Sequence, residues 1–420
     1  MTTPPILAAL RKHKAGVILI GLQTAVTLAI VCNIFFIVGQ RLQRIERPTG
    51  LAEGNLFLIS QRYIDAPSGN NPASLDKLDS MQLNDLEILR GLPDVRQASP
   101  VTTMPLLRDI FVEGVSLKPA QSNAIGKVNV FTGDEEMLHT LGLRLIAGRD
   151  FTRTDVEHVA PNSNTPAPLA IVTKALSDKL FPDRGAVGQP IYLNGSATPT
   201  TIIGVIARML TANADGGDDY AWDSVLIPRR IDAASTMYAV RTRPGRLKEA
   251  MQAARKALFK ADPLRIIPTD NRYEIAGVHS FAEIRNIGYA LDMASVRVLC
   301  GISLILLMTT GVGMAGLTSF WVNQRRKQIG IRRALGARKV DILRYFQIEN
   351  FMISGSGCVL GAMLAIGLNL ALMRVFEMSR LPFGYVIAGI ASVLILGQLA
   401  VFIPAHRASK VPPIVSTRSV

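Results

Sequence analysis

Hydrophobic residues gather in four long runs, at residues 16–39, 296–322, 351–373 and 385–403. Crossing the hydrocarbon core of a bilayer takes roughly 20 apolar residues, and each run approaches or exceeds that length. The pattern therefore predicts four transmembrane helices. The first run follows a basic start but is longer than the core of a signal peptide, which favours an uncleaved anchor.

Residues 40–290 lie between the first two predicted spans and alternate short apolar runs with helical spacing, which predicts an α+β domain. A first strand, helix and strand cover residues 55–60, 84–93 and 95–104, and a second half-unit covers 224–228 with 237–243, 247–261 and 265–269. Asn84 or Asp85 is the expected N-cap of the first helix. Residues 116–209 have strands of their own, and we interpret them as an inserted β-rich subdomain.

The chain is both apolar and basic, with 49% hydrophobic residues and a formal charge of +14. Such a balance is typical of proteins that bind nucleic acid, of proteins that bind an anionic membrane surface, and of membrane spans anchored on their cytoplasmic side. The position of the charges close to the spans favours the membrane. The basic segments at residues 1–15, 323–345 and 404–420 are expected to share the cytoplasmic side. Residues 40–290 then lie outside.

The sequence contains no recognisable catalytic set. It has no G-x-x-x-x-G-K-[ST] phosphate-binding loop, so ATP hydrolysis is expected in a partner chain. His139, His158 and His279 have no companion at metal-ligand spacing, and no metal site is predicted. All three cysteines fall inside predicted spans, so no disulfide is expected in the outer domain.

Small residues recur at four-residue spacing in three of the predicted spans. Such faces let helices approach closely in lipid, where apolar burial gives no drive for association. The pattern predicts a packed bundle or a dimer, with helix contacts at Gly21, Ala25, Gly311, Ala315, Gly357 and Gly361.

The segment between the second and third spans, RRKQIGIRRALGARKVDILRYFQIEN, covers Arg325 to Asn350. By charge alone it is a flank that orients the spans. However, Ile329, Ile331 and Leu335 lie among its arginines, Gly336 interrupts the pattern, and a second apolar helical pattern runs into the third span. The segment therefore predicts two amphipathic helices, joined at Gly336, that lie on the membrane and dock a partner.

The stretch QIGIRRALGARKVDILRYFQIEN, followed by GSGCVLGAMLA, resembles the signature of MacB/FtsX-type ABC transporter permeases. LHTLGLRLIAGRDF, AIVTKALSDKLFPDRGAVGQPIYLNG, TIIGVIARM and WDSVLIP resemble the MacB-like periplasmic domain, and FIPAHRASKVPPIVSTRS resembles the C-terminal tail. The resemblance implies four transmembrane helices and a large extracytoplasmic α+β domain, with ferredoxin-like halves around an inserted β-rich subdomain. It places the chain in the bacterial inner membrane with both termini cytoplasmic.

The resemblance further implies a non-catalytic permease subunit, with ATP and Mg bound by a separate cytoplasmic ABC ATPase. ATP hydrolysis would move the periplasmic domain, called mechanotransmission, to export a peptide, antibiotic or lipidated cargo. Expected partners are the ATPase, a second permease copy or paralogue, and membrane lipid, with a periplasmic adaptor and an outer-membrane channel as further candidates and no nucleic acid. The implied ATPase-coupling positions are Gln328, Ile329, Gly330, Ile331, Arg332, Arg333, Ala334, Leu335 and Gly336.

Gln324 and Gln328 stand where acidic residues are usual in the family. This change indicates either an altered ATPase contact or one half of a heterodimer whose partner keeps the acids. Two other functions are compatible with the sequence. An FtsX-like signalling protein that regulates a cell-wall hydrolase has the same topology and ATPase partner, and a membrane-anchored enzyme with a dispersed site is the remaining class.

Overall fold

The computed structural model describes residues 14–67, 71–107, 112–121, 124–161, 163, 165–212, 220–268, 276–376 and 379–410. The chain divides into two compact units. We call Met1–Ile45 with Asp292–Val420 the helical unit, and Glu46–Leu291 the sheet unit. Parts of the predicted cytoplasmic ends, up to residue 13 and from residue 411, lie outside the described residues.

The elements are numbered in chain order. The helices are α1 (Lys14–Ile45), α2 (Pro72–Arg90), α3 (Met137–Leu141), α4 (Lys174–Leu180), α5 (Leu247–Ala261), α6 (Phe281–Gly288), α7 (Ala290–Gln324), α8 (Arg326–Ala334), α9 (Lys339–Phe376) and α10 (Phe383–Ser409). The strands are β1 (Leu56–Tyr63), β2 (Val95–Val101), β3 (Val112–Ser116), β4 (Gly126–Gly133), β5 (Leu145–Gly148), β6 (Glu157–Val159), β7 (Leu169–Thr173), β8 (Pro190–Leu193), β9 (Thr200–Ile206), β10 (Ser224–Ile231), β11 (Ser235–Thr242), β12 (Arg265–Ile266) and β13 (Val278–Ser280).

Among the described residues of the helical unit, four helices are long and apolar enough to cross a membrane, namely α1, α7, α9 and α10. Each of them contains one predicted span and extends beyond both of its ends. The largest extension is in α9, which begins at Lys339 because the amphipathic pattern before the third span continues into it without a break. The prediction of four membrane helices is confirmed.

Polar side chains join these helices where lipid offers no competing hydrogen-bond partner. The hydroxyls of Thr27 on α1 and Thr310 on α7 lie 2.7 Å apart. Asn33 on α1 donates from Nδ2 to the carbonyl oxygen of Ala365 on α9 at 3.1 Å. The guanidinium of Arg41 pairs with the buried carboxylate of Asp292, which joins α1 to α7.

In the sheet unit, two β-α-β half-units interleave. β1–α2–β2 and β11–α5–β12 form an antiparallel sheet in the order β12–β1–β11–β2. A strand of the second half-unit thus lies between both strands of the first, which is the ferredoxin-like arrangement. Helices α2 and α5 bury apolar residues against this sheet, including Leu86, Leu89, Ala254 and Leu258. The predicted ferredoxin-like halves are confirmed.

Helix α2 begins earlier than the sequence pattern predicts. It starts at Pro72, and Asn71 is its N-cap, with the side-chain oxygen accepting from the backbone N–H of Ser74 at 2.9 Å. Proline fits this first helical position because the N–H that it lacks would have no intrahelical partner there. Asn84 and Asp85, the expected caps, lie inside the helix instead.

The inserted subdomain is wider than predicted and extends from β3 to β10. Its strands follow β2 in the order β4–β3–β8–β9–β7–β10–β6, and β5 pairs with β9. Residues 224–228, expected in the second half-unit, belong to β10, which pairs parallel with β4 and antiparallel with β7. The reason is burial, since Ser224 to Arg229 are all buried and suit a central strand.

A buried ion pair locks the ferredoxin-like part of the sheet unit together. Arg265 on β12 donates from Nη1 to Asp85 on α2 at 2.9 Å, and both side chains are 1% exposed. Tyr63 and Gln61 on β1 also donate to the Asp85 carboxylate, at 2.6 and 2.5 Å. These hydrogen bonds compensate the cost of burying two charges.

Candidate functional site

The predicted coupling segment folds as a short helix, α8, between two membrane helices. It follows α7 directly and ends at Ala334, and the backbone N–H of Leu335 still donates to the carbonyl oxygen of Ile331 at 3.0 Å. Gly336 then takes a φ of +98°, which residues with a side chain rarely adopt. Glycine at this position therefore lets the chain turn from α8 into α9.

One face of α8 is packed into the helical unit. Ile329 is 5% exposed and belongs to a core cluster with Ile342 and Phe346 of α9 and Ala405 of α10. Gly330 beside it is also buried. The inner face of α8 is thus fixed to the helices around it.

Ionic and polar contacts strengthen this attachment. Arg325, which precedes α8, pairs with Glu349 of α9 at 3.0 Å, and their side chains are 12% and 3% exposed. Arg333 donates from Nη1 to the carbonyl oxygen of Ser409 in α10 at 3.2 Å. The helix is therefore held by both α9 and α10.

The opposite face of α8 is exposed, and we call it the outer face. Leu335 is 83% exposed and Ile331 is 48% exposed. The other exposed coupling positions are Gln328, Arg332, Ala334 and Gly336, while Arg333 is half-buried. Because a helix turns by about 100° per residue, Ile331 and Leu335 share a face, whereas Ile329 points away from them.

The surroundings of the outer face are strongly basic. The exposed cations of the segment 325–344 are Arg326, Lys327, Arg332, Arg338, Lys339 and Arg344. The only acidic residue in the segment 325–344 is Asp341, which accepts a hydrogen bond from the backbone N–H of Arg338 at 3.0 Å. Exposed apolar side chains within a positive surface suit a partner with an acidic rim and an apolar pocket.

The predicted packing positions of α1 and α9 lie against each other. A Cβ on Gly357 would come within 2.8 Å of the carbonyl oxygen of Gly21, and one on Gly361 within 2.8 Å of that of Ala25. Ala25 is fully buried. A Cβ on Gly21 would meet nothing within 4 Å, so Gly21 contributes its backbone to this contact rather than the lack of a side chain.

The two predicted positions on α7 are less tightly packed. A Cβ on Gly311 would lie 3.5 Å from the nearest side-chain atom of Leu396, an ordinary van der Waals distance. Ala315 is half-buried, and its carbonyl oxygen accepts from the hydroxyl of Ser319 at 2.8 Å. These contacts tolerate a small side chain, unlike those at Gly357 and Gly361.

Folding gives His158 two acidic neighbours that its position in the sequence does not indicate. His158, Asp79 and Asp232 each bring a possible ligand atom, and these atoms lie within 4.8 Å of one another. The hydrogen bond to Asp232 raises the pKa of His158, and burial raises the pKa of Asp232. The signal for this cluster is three-dimensional, since its members come from three separate elements.

Two family models match the chain. Residues 24–258 match the MacB-like periplasmic core domain, and residues 301–413 match the FtsX-like permease C-terminal region. A macrolide export ATP-binding/permease protein MacB from Neisseria meningitidis is 25% identical over 94% of this chain and 56% of the relative. An ABC transporter permease, YvrN, from Bacillus subtilis is 24% identical over 97% of this chain and 96% of the relative.

The chain thus spans about half the length of the macrolide export relatives that it matches. Among solved structures, the periplasmic region of MacB from Actinobacillus actinomycetemcomitans aligns at 14% identity with a TM-score of 0.34, over 58% of this chain and 96% of that one. The MacB-like domain match alone covers more than half of the residues. The chain therefore belongs to the MacB/FtsX-type ABC transporter permease family.

Proposed function

We propose that this chain is the permease subunit of a mechanotransmission-type ABC transporter. A separate cytoplasmic ATPase binds ATP and Mg and docks on the outer face of α8. Its hydrolysis cycle moves α8 and, through the helical unit, the sheet unit on the other side of the membrane. A second permease copy or a paralogue completes the transporter.

The observation that carries this proposal is the division of α8 into two faces. Leu335 and Ile331 are open to a partner, while Ile329 is locked into the core between α9 and α10. A force applied to the outer face is therefore passed to the membrane helices rather than absorbed by a loose loop. The buried Arg325–Glu349 pair adds stiffness at the same end.

The distribution of cations supports the proposed orientation of the chain in the membrane. The cations around α8 and at the end of α10 favour the cytoplasmic side, so the termini are cytoplasmic and the sheet unit is periplasmic. The name of the Neisseria relative, a macrolide export protein, supports export of an antibiotic, with peptides and lipidated molecules as the other cargo classes.

Co-purification from the native cell tests the proposal. We expect the detergent-solubilised chain to bring down a cytoplasmic ABC ATPase, and Leu335→Asp to abolish this while the permease still reaches the membrane. Leu335→Met is the matched control, because it keeps a large apolar side chain at this 83% exposed position, whereas aspartate replaces it with a charge.

The outcomes separate clearly. Loss of the ATPase in Leu335→Asp but not in Leu335→Met supports docking on the outer face. Equal recovery in both variants, or no ATPase in the wild type, refutes it. Recovery of a cell-wall hydrolase together with the ATPase would favour the signalling function.

A further inference from the structure

Three side chains from different elements meet at the end of β10 in the sheet unit. Asp232 follows β10, and its backbone N–H donates to the carbonyl oxygen of Val159 at 2.9 Å. His158 lies on β6, which pairs parallel with β10 so that His158 stands opposite Arg230. Asp79 comes from α2 of the ferredoxin-like half. The cluster thus connects the inserted subdomain to that half.

The two carboxylate oxygens of Asp232 differ in their hydrogen bonding. Its side chain is fully buried, and Oδ2 lies 3.0 Å from Nδ1 of His158. Its other oxygen, Oδ1, is buried without a hydrogen-bond partner among the described residues. A buried carboxylate oxygen without a partner is costly, and a bound cation is one way to satisfy it.

The other two members provide access from solvent and a further carboxylate oxygen. His158 is 45% exposed, which gives an ion access from solvent. Asp79 is 14% exposed, and Arg230 donates from Nε to its Oδ1 at 2.8 Å, which occupies one of its two carboxylate oxygens. One ligand atom from each of Asp79, His158 and Asp232 lies within 4.8 Å of the others.

We propose that Asp79, His158 and Asp232 form a binding site for a divalent transition-metal ion of the zinc type. One imidazole nitrogen and two carboxylate oxygens are ligands that suit Zn²⁺, with water in the fourth position. Tetrahedral zinc ligands lie about 3.3 Å apart, so small side-chain movements close the site. Mg²⁺ and Ca²⁺ prefer six or more oxygen ligands and fit poorly.

A metal ion here crosslinks α2 to β6 and to the end of β10. It therefore fastens the inserted subdomain to the ferredoxin-like half at a point remote in sequence from the membrane helices. This role is independent of the proposed ATPase contact, which lies on α8.

Calorimetric titration tests the site. The full chain, purified in detergent and stripped with EDTA, is titrated with ZnCl₂ and separately with MgCl₂. We expect one zinc ion per chain and no measurable heat with magnesium. His158→Gln lowers the zinc affinity by at least about tenfold, since loss of a ligand costs no less than loss of an outer-shell partner.

His139→Gln is the matched control. His139 also faces an aspartate, with Nδ1 3.3 Å from Oδ2 of Asp150, and it is 62% exposed. It is outside the group of three ligands, so its replacement leaves zinc binding unchanged. Binding of Co²⁺ adds a second readout, because the visible absorption of a four-coordinate cobalt site appears in the wild type and is lost in Asp232→Asn.

Absence of zinc binding by the wild type refutes the site, and so does equal affinity in His158→Gln and the wild type. If Asp232→Asn does not fold, Asp79→Asn replaces it as the second ligand variant. A cobalt spectrum that persists in both His158→Gln and the folded carboxylate variant also refutes the assignment.

Discussion

Replacement of Gly361 by alanine tests the packing of α1 against α9. The new Cβ would lie 2.8 Å from the carbonyl oxygen of Ala25 and 3.0 Å from its Cα. Contacts of 3.4 Å and above are ordinary, and these neighbours are backbone atoms that no side-chain rotation can move. The two helices must therefore separate by about half an ångström, and overpacking of this kind costs about 1–3 kcal/mol.

Gly367→Ala is the matched control in the same helix. A Cβ at Gly367 would meet nothing within 4 Å. Alanine gains about 1 kcal/mol in helix propensity over glycine, so this variant is as stable as the wild type or more so. Gly361→Ala has the same gain in propensity, so the two alanine variants are expected to differ by the overpacking cost alone, about 1–3 kcal/mol in the free energy of unfolding.

Titration of the purified protein with SDS in mixed micelles, followed by circular dichroism, measures this difference. Gly361→Ala should unfold at a clearly lower SDS fraction than Gly367→Ala. Gly21→Ala should resemble the control, since a Cβ there also meets nothing within 4 Å. Equal midpoints for Gly361→Ala and Gly367→Ala would refute the packing argument, because the close approach of α1 to α9 would then have no effect on the free energy of unfolding.

Two further predictions concern the sheet unit. Asp85→Ala leaves the guanidinium of Arg265 buried without its charged partner, and chemical denaturation should show a loss of about 3–5 kcal/mol in the free energy of unfolding. The double variant Asp85→Leu with Arg265→Met should recover most of this loss. A double variant no more stable than Asp85→Ala would contradict the argument. The hydrogen bond from Arg149 lowers the pKa of Asp155 to about 2. The ionised carboxylate therefore stabilises the folded state above the ordinary pKa of 3.8, and this stabilisation is lost as the pH falls through 2. Melting temperatures measured between pH 2 and pH 5 should therefore fall less steeply with acid in Asp155→Asn, and parallel curves would show that the ion pair has no effect.

Strong periodicity made several elements predictable from sequence. The four apolar runs are long enough to give only membrane helices, and each was found inside an observed helix. Helix α5 runs from Leu247 to Ala261 as predicted, with Ala250, Ala254 and Leu258 buried. In these segments the local pattern and the tertiary contacts favour the same structure, so no remote partner needs to be known.

Elsewhere the deciding contact lies far away in the chain. Asp85 resembles a helix cap in sequence, but its partner Arg265 is 180 residues distant, and only the fold makes it a buried residue inside α2. In the sequence, Ile329, Ile331 and Leu335 all lie among the arginines of one basic segment. Two residues of separation place Ile329 on the opposite side of a helix from Ile331, and this spacing was the available signal for the two faces of α8.

The interleaved order of the ferredoxin-like strands also has a consequence for biosynthesis. β11 lies between β1 and β2, and Ser60 of β1 is opposite Met237 of β11. While the ribosome makes the whole inserted subdomain, β1 and β2 have no strand between them to pair with. Long-range pairing of this kind is slow and leaves strand edges open to aggregation. The nascent chain therefore passes through a prolonged vulnerable stage, during which the inserted subdomain can complete its own core before the surrounding sheet closes.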